Sequence, residues 1–106
     1  MTHQETRRTD QILGPSVQLS IMLLLYTHAK VQFTTLQRLL GLSPGNLSHH
    51  LTRLARAGYV EISKRFFPRR PLTVIAITPE GRKAFQRYVE EFKAVINRIE
   101  SKVVRD

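Results

Sequence analysis

The sequence contains no cysteine and no tryptophan. The absence of cysteine excludes disulfide bonds, thiolate zinc sites and cysteine-based redox sensing, and it favours a cytoplasmic location. No apolar run reaches the about 18 residues that a membrane-spanning helix needs, and the polar stretch Met1–Asp10 lacks the apolar centre of a secretory signal. We therefore expect a single domain of 106 residues without a membrane partner.

Motifs for catalysis or cofactor binding are also missing. The four histidines are His3, His28, His49 and His50, and only the last two are neighbours. Adjacent residues of a helix point about 100° apart, so this pair does not make a metal site. No phosphate-binding loop, dinucleotide fingerprint, zinc-protease motif or nucleophile triad is present. The sequence thus predicts neither an enzyme nor a cofactor nor a bound metal.

Acidic residues are scarce, with 8 of them against 17 basic ones and a formal net charge of +9. Between Gln37 and Pro71 the only acid is Glu61. The basic residues of the same segment are Arg38, Arg53, Arg56, Lys64, Arg65, Arg69 and Arg70. Such a concentration indicates a polyanionic partner, with a generally basic soluble surface as the alternative.

The segment from Leu42 to Ile62 predicts a helix followed by a strand. Ser43 suits the helix N-cap, Pro44 suits the first helical position, and Gly58 suits the C-terminal cap. Three leucines recur at helical spacing and share one face: Leu47, Leu51 and Leu54. The opposite face carries Gly45, His49, Thr52, Arg53 and Arg56. An apolar stripe that docks the helix, behind an uncharged-to-basic outer face, is typical of a DNA recognition helix.

Three elements are predicted before this helix. A first helix over about Ser16–Ala29 is apolar on nearly every side, which suggests that part of it lies at a subunit interface. Val31–Phe33 is β-like, and Thr34 or Thr35 is expected to cap a second helix with Leu36, Leu39 and Leu40 on its buried face. Gly41 ends that helix and permits a tight turn.

Two strands, Tyr59–Phe66 and Leu72–Thr78, are predicted after Gly58. The tip between them, Phe67–Pro71, is stiffened by two prolines. Basic residues surround it: Lys64, Arg65, Arg69 and Arg70. Such a tip suits a minor groove or the backbone beside it, with a solvated turn as the alternative.

A final helix is predicted from Pro79, capped by Thr78, to about Val103. At about 1.5 Å per residue it is roughly 37 Å long, more than a compact core covers. Its apolar residues should therefore find a second copy of the helix, the alternative being packing within the monomer. The predicted dimer interface is Val17, Ile21, Leu25, Phe85, Tyr88, Val89, Phe92, Val95, Ile96, Ile99 and Val103.

Three segments together resemble the winged-helix transcription regulators, in particular their short MarR-like and ArsR-like members. They are residues 34–51, 54–60 and 77–82, and the resemblance spans roughly residues 16–90. It implies an α+β, mainly α fold: a winged helix-turn-helix with a two- or three-stranded β wing and a long C-terminal dimerisation helix. The wing departs from the MarR pattern, since Arg69 and Arg70 stand where an Asp-x-Arg pair is usual. The expected organisation is a flexible segment over residues 1–13, a winged helix over 14–78 and a dimerisation helix over 79–106.

The favoured function is a sequence-specific regulator that binds double-stranded DNA as a homodimer, with the alternative of a winged-helix protein-interaction or RNA-binding module. No residue set marks a small-molecule effector site. The candidate DNA contacts are Thr35, Gln37, Ser43, Pro44, Gly45, Asn46, Ser48, His49, Thr52, Arg53, Arg56, Lys64, Arg65, Arg69 and Arg70.

Overall fold

The computed structural model describes residues 17–68 and 70–105. The elements, in chain order, are α1 (residues 17–28), β1 (Lys30–Gln32), α2 (Phe33–Leu40), α3 (Pro44–Arg56), β2 (Val60–Phe67), β3 (Arg70–Ile77) and α4 (Pro79–Arg105). The predicted fold class, a mainly helical winged helix with a long C-terminal helix, is confirmed. The segment 1–13, Ser16 and Arg69 lie outside the described residues.

The three strands form one antiparallel sheet in the order β1-β3-β2. This short segment is a strand, as predicted, although Phe33 already belongs to α2. It pairs with the wing, and Val31 of β1 lies opposite Ile75. The β2–β3 ladder continues to Phe67 opposite Arg70. The tip is therefore shorter than predicted, and Pro71 lies within β3. Because β1 pairs only with Val74, Ile75 and Ala76, Pro71 is at an open edge where a proline is tolerated.

Helix α2 begins earlier than predicted. Gln32 takes the N-cap position without a side-chain hydrogen bond, so Thr34 and Thr35 lie inside the first turn rather than at the cap. The predicted end at Gly41 is confirmed: its φ is 64°, and its N–H donates to the carbonyl oxygen of Gln37. The predicted buried face is only partly correct, because Leu36 is fully buried whereas the side chain of Leu39 is 59% exposed.

The core lies between α1, α2, α3 and the inner face of the sheet. Its fully buried side chains are Ile21, Leu25, Leu36, Leu47, Leu51 and Ile75. Three residues of the predicted dimer interface, Ile21, Leu25 and Phe85, are thus buried in the core of the single chain. Because α1 is apolar on nearly every side, its sequence does not show which residues face the core. In the structure, Ile21 and Leu25 face the core of their own chain.

The first turns of α4 are attached to the end of α1. Gln86 Nε2 donates to Tyr26 Oη at 2.9 Å, and the Tyr26 and Phe85 ring centroids are 5.0 Å apart. The Arg82 guanidinium lies 5.4 Å from the Tyr26 ring centroid, within the range of a cation–π contact. These contacts set the direction in which the rest of α4 leaves the domain.

Thr78 joins the end of α3 to the start of α4. Its Oγ1 accepts the N–H of Gly81 at 2.9 Å, which confirms the predicted cap, and its hydroxyl donates to the carbonyl oxygen of Gly58 at 2.6 Å. Gly81 is buried against the backbone of Tyr59, where an added Cβ would overlap the Tyr59 carbonyl oxygen.

We expect the substitution Gly81→Ala to lower the free energy of unfolding by about 1–3 kcal/mol, because backbone rather than a flexible side chain occupies the space. Gly45→Ala is the matched control. A Cβ at residue 45 has no neighbour within 4 Å, and alanine favours a helix, so stability should stay equal or rise slightly. Urea denaturation followed by circular dichroism measures both, and equal midpoints for the two variants would contradict the packing of α4 described above.

Candidate nucleic-acid interface

The start of α3 is built as its sequence predicts. Ser43 has an extended backbone, and its Oγ accepts the N–H of Asn46 at 3.2 Å, while Pro44 takes the first helical position. The first turn contains no acidic residue. The partial positive charge of this helix end therefore faces solvent without a compensating carboxylate, which favours the approach of a phosphate.

The inner face of α3 is fixed by apolar packing. Leu47, Leu51 and Leu54 are all buried, as predicted. His50 is 8% exposed, and Gln18 Nε2 donates to its Nδ1 at 3.2 Å, so this histidine belongs to the α1–α3 contact. The outer face is exposed, with Gly45, Ser48, His49, Thr52, Arg53 and Arg56 on it, and only Asn46 is half-buried.

The end of α3 is a Schellman motif. The N–H of Tyr59 donates to the Leu54 carbonyl oxygen, and the N–H of Gly58 donates to that of Ala55, both at 3.0 Å. Gly58 has a φ of 82° and lies one residue beyond the cap residue, Ala57. Arg53 and Arg56 are in the last turn, where their charges complement the helix dipole and remain open to a phosphate.

The wing places two consecutive basic residues on opposite faces of the sheet. Lys64 pairs with Thr73 and lies on the inner face, beside α3. Between that face and α3 is a cleft of about 270 Å³. Apolar and polar side chains line it together: Phe33, Leu51, Ile62, Ser48, Thr52, Lys64 and Thr73. Ser48, Thr52 and Lys64 therefore form one continuous surface.

Arg65 lies on the outer face, at a separate hollow of about 210 Å³ that it shares with Lys30, Glu61 and Ser63. Arg70 is exposed in β3, and Arg69 lies outside the described residues. Thr35 and Gln37 of α2 are half-buried and do not line the cleft. The structure thus separates the predicted contacts into a central group on α3 with Lys64, and a dispersed group on other faces.

One exposed residue of the wing is missing from the predicted contacts. Phe66 is 85% exposed and shares the inner face of β2 with Lys64. The alternation of side chains along the predicted strand already places residues 62, 64 and 66 on one face. That signal is present in the sequence, but it does not show that the ring of residue 66 stays exposed.

Among the described residues, no group of three or more histidine, aspartate or glutamate side chains is arranged to hold a metal ion. Nor does any helix in residues 17–68 and 70–105 have the length and apolar character needed to cross a membrane.

A family profile for the winged helix DNA-binding domain matches residues 17–96. The chain belongs to this family. The resemblance drawn from the sequence to winged-helix regulators is confirmed by this match. This family comprises DNA-binding regulators of transcription rather than enzymes, and the prediction that the chain is not an enzyme is confirmed on that ground.

Two archaeal proteins are similar to this winged helix along nearly their whole length. An uncharacterised protein of Methanocaldococcus jannaschii is 38% identical over 90 residues, which cover 85% of this chain and 98% of the relative. The structure of a transcriptional regulator homologue from Pyrococcus horikoshii has a TM-score of 0.77 and 36% identity, and the match covers 93% of this chain and 98% of the other. The YusO protein of Bacillus subtilis shares the fold alone, with a TM-score of 0.74 and 17% identity over 94% of this chain and 79% of its own.

The two faces of the wing predict different electrostatic roles for neighbouring residues. Lys64→Ala should reduce the slope of log affinity against log salt concentration by about 0.9, the value for one neutralised phosphate of duplex DNA. Arg65→Ala removes the same charge from the opposite face and should change the slope less. Fluorescence anisotropy of a labelled duplex at several salt concentrations measures both, and a larger effect for Arg65 would assign the other face of the wing to DNA.

Proposed function

We propose that this winged-helix protein is a sequence-specific transcriptional regulator that binds double-stranded DNA as a homodimer. In this proposal α3 enters the major groove, and the basic wing lies at the minor groove or the adjoining backbone. The observation that carries the proposal is the division of α3 into a buried leucine face and an exposed polar and basic face. Its packing leaves those side chains on a rigid helix, free to contact a ligand.

The outer face of α3 supports base contacts near its start and phosphate contacts near its end. Ser48, His49 and Thr52 carry short or uncharged hydrogen-bonding groups that can distinguish base edges in a major groove. Arg53 and Arg56, in the last turn, supply charge that a phosphate backbone attracts. Lys64 extends the positive surface onto the wing, next to Ser48 and Thr52 across the cleft.

The distal part of α4 supports the homodimer. Its exposed apolar side chains recur at spacings of three and four, and so they share one face of the helix. They are Tyr88, Phe92, Val95, Ile96, Ile99 and Val103. The rings of Tyr88 and Phe92 stack on this face with centroids 6.2 Å apart. Packing within the described part of the single chain leaves the stripe uncovered, whereas a second α4 would bury it.

The proposal is tested by selecting bound duplexes from a random DNA pool. A dimer related by two-fold symmetry should enrich an inverted repeat, with half-site centres about 10–10.5 base pairs or a multiple apart. Arg56→Ala should weaken binding of the selected duplex and reduce its salt slope by about 0.9. Arg87→Ala, an equally exposed arginine on α4, is the control that should leave the slope unchanged. Weak binding without any enriched sequence would refute the proposal and favour an RNA-binding or protein-interaction module.

The dimer has its own test in α4. Phe92→Asp places a carboxylate in the middle of the apolar stripe and should yield a folded monomer, or unfold a chain that needs its partner. Ala94→Asp is the matched control, because residue 94 lies about 200° away around the helix and is exposed. Light scattering gives the mass and circular dichroism the helix content. A folded, unchanged dimer for Phe92→Asp would contradict the assigned interface.

A further inference from the structure

Phe66 is 85% exposed, more than any other large apolar side chain whose exposure the structure gives. It stands in β2, close to the outer end of the wing, and none of the described strands and helices packs over it. The alternation of β2 places it on the same face as Lys64 and Ile62, the face that borders the cleft beside α3. A phenylalanine in this position gives the single chain little burial, so its place in the structure points to a partner.

The surroundings of Phe66 are rigid and carry only positive charge. Pro71 lies opposite it in the ladder, so that a proline ring and an aromatic ring occupy the same end of the inner face. The ladder continues past Phe66 to Phe67 opposite Arg70, which leaves the hairpin little freedom to fold the ring away. From Ile62 to Ile77 the sequence contains no acidic residue. Lys64 is exposed on the same face as Phe66, and Arg65 and Arg70 are exposed on the outer face.

We propose that Phe66, supported by Pro71, is an apolar wedge that enters the minor groove beside the half-site and partly unstacks one base step. This inference rests on the proposed function, in which α3 occupies the adjacent major groove. Charge complementarity selects the occupant. Lys64, on the same face as Phe66, attracts a phosphate backbone that borders the groove, while a flat aromatic ring suits the stacked bases beside it.

A wedge at this position adds a kind of sequence preference that needs no hydrogen bond to a base. Pyrimidine–purine steps such as TA and CA are the easiest to unstack, so the energy of insertion depends on the step beneath the wing. We therefore expect selected duplexes to be enriched in such a step outside each half-site, at the position that the wing reaches. Lys64, in contrast, contributes to affinity on every sequence.

The test uses the full chain and a selected duplex in which 2-aminopurine replaces one adenine at a time in the flanks. Unstacking raises the fluorescence of this base analogue. The wild-type protein should raise it at one flanking step, and Phe66→Leu, which keeps an apolar wedge, should largely retain the rise. Phe66→Ala should lose it and bind about tenfold more weakly, since stacking on an aromatic side chain typically contributes about this factor, while its salt slope stays unchanged. Lys64→Ala should show the reverse: a retained rise and a reduced slope.

Several results would overturn the wedge. If Phe66→Ala binds the selected duplex as tightly as the wild type and gives the same rise in fluorescence, the wedge is refuted. The proposed DNA-binding function would still be supported. A Phe66→Ala protein that becomes monomeric would instead assign the ring to a contact between subunits. If Phe66→Ala does not fold, the wild-type protein still provides a test. A wild-type complex in which 2-aminopurine fluorescence rises at no flanking position would exclude unstacking. A wild-type protein that binds no duplex at all removes both the proposed function and the wedge.

Discussion

The docking of α3 through its leucine face is the contact on which the rest of the molecule depends. Leu47 and Leu51 are almost completely removed from solvent and meet the buried residues of α1, α2 and β3. Burial of each such side chain contributes about 1.5–3 kcal/mol, and rotation of the helix would exchange leucines for arginines in the core. The Ser43 cap and the Schellman motif at Gly58 hold the two ends. The exposed polar face of α3 is therefore positioned by apolar packing on the opposite side of the helix.

The exposed face of α3 is also held in a fixed position relative to α4. Thr78 accepts the N–H of Gly81 and donates to the carbonyl oxygen of Gly58, so the end of α3 and the start of α4 share one hydrogen-bonded junction. Gln86 and Arg82 then attach the first turns of α4 to Tyr26. In the proposed homodimer the distal part of α4 meets its counterpart. The distance between the two α3 helices then follows from rigid contacts rather than from a linker, as a fixed half-site spacing requires.

Local signals in the sequence are sufficient for much of this fold. The hydroxyl groups of Ser43 and Thr78 cap helices as predicted, and Gly41 ends α2 with a positive φ. The spacing of the leucines identifies the inner face of α3. The signals fail where several faces look alike. The apolar run of α1 does not show that Ile21 and Leu25 point into the core, and Leu39 continues an apolar pattern yet is exposed. In the wing, local alternation places Lys64 and Arg65 on opposite faces, but the sequence does not show which of the two faces meets α3. That is a long-range property, set by how the sheet pairs and packs.

Under the proposed docking, affinity and sequence preference come from different side chains. Arg53, Arg56 and Lys64 interact with phosphate, which every duplex offers equally, so they determine strength of binding and its salt dependence. Ser48, His49 and Thr52 can distinguish base edges, while the wing reads how easily a base step deforms. All of these side chains are exposed, and exposed positions typically tolerate substitution within about 0.5 kcal/mol of stability. Because the buried leucines and the caps at its two ends keep α3 in place, the preferred DNA sequence can change at the outer face while the fold that presents it stays the same.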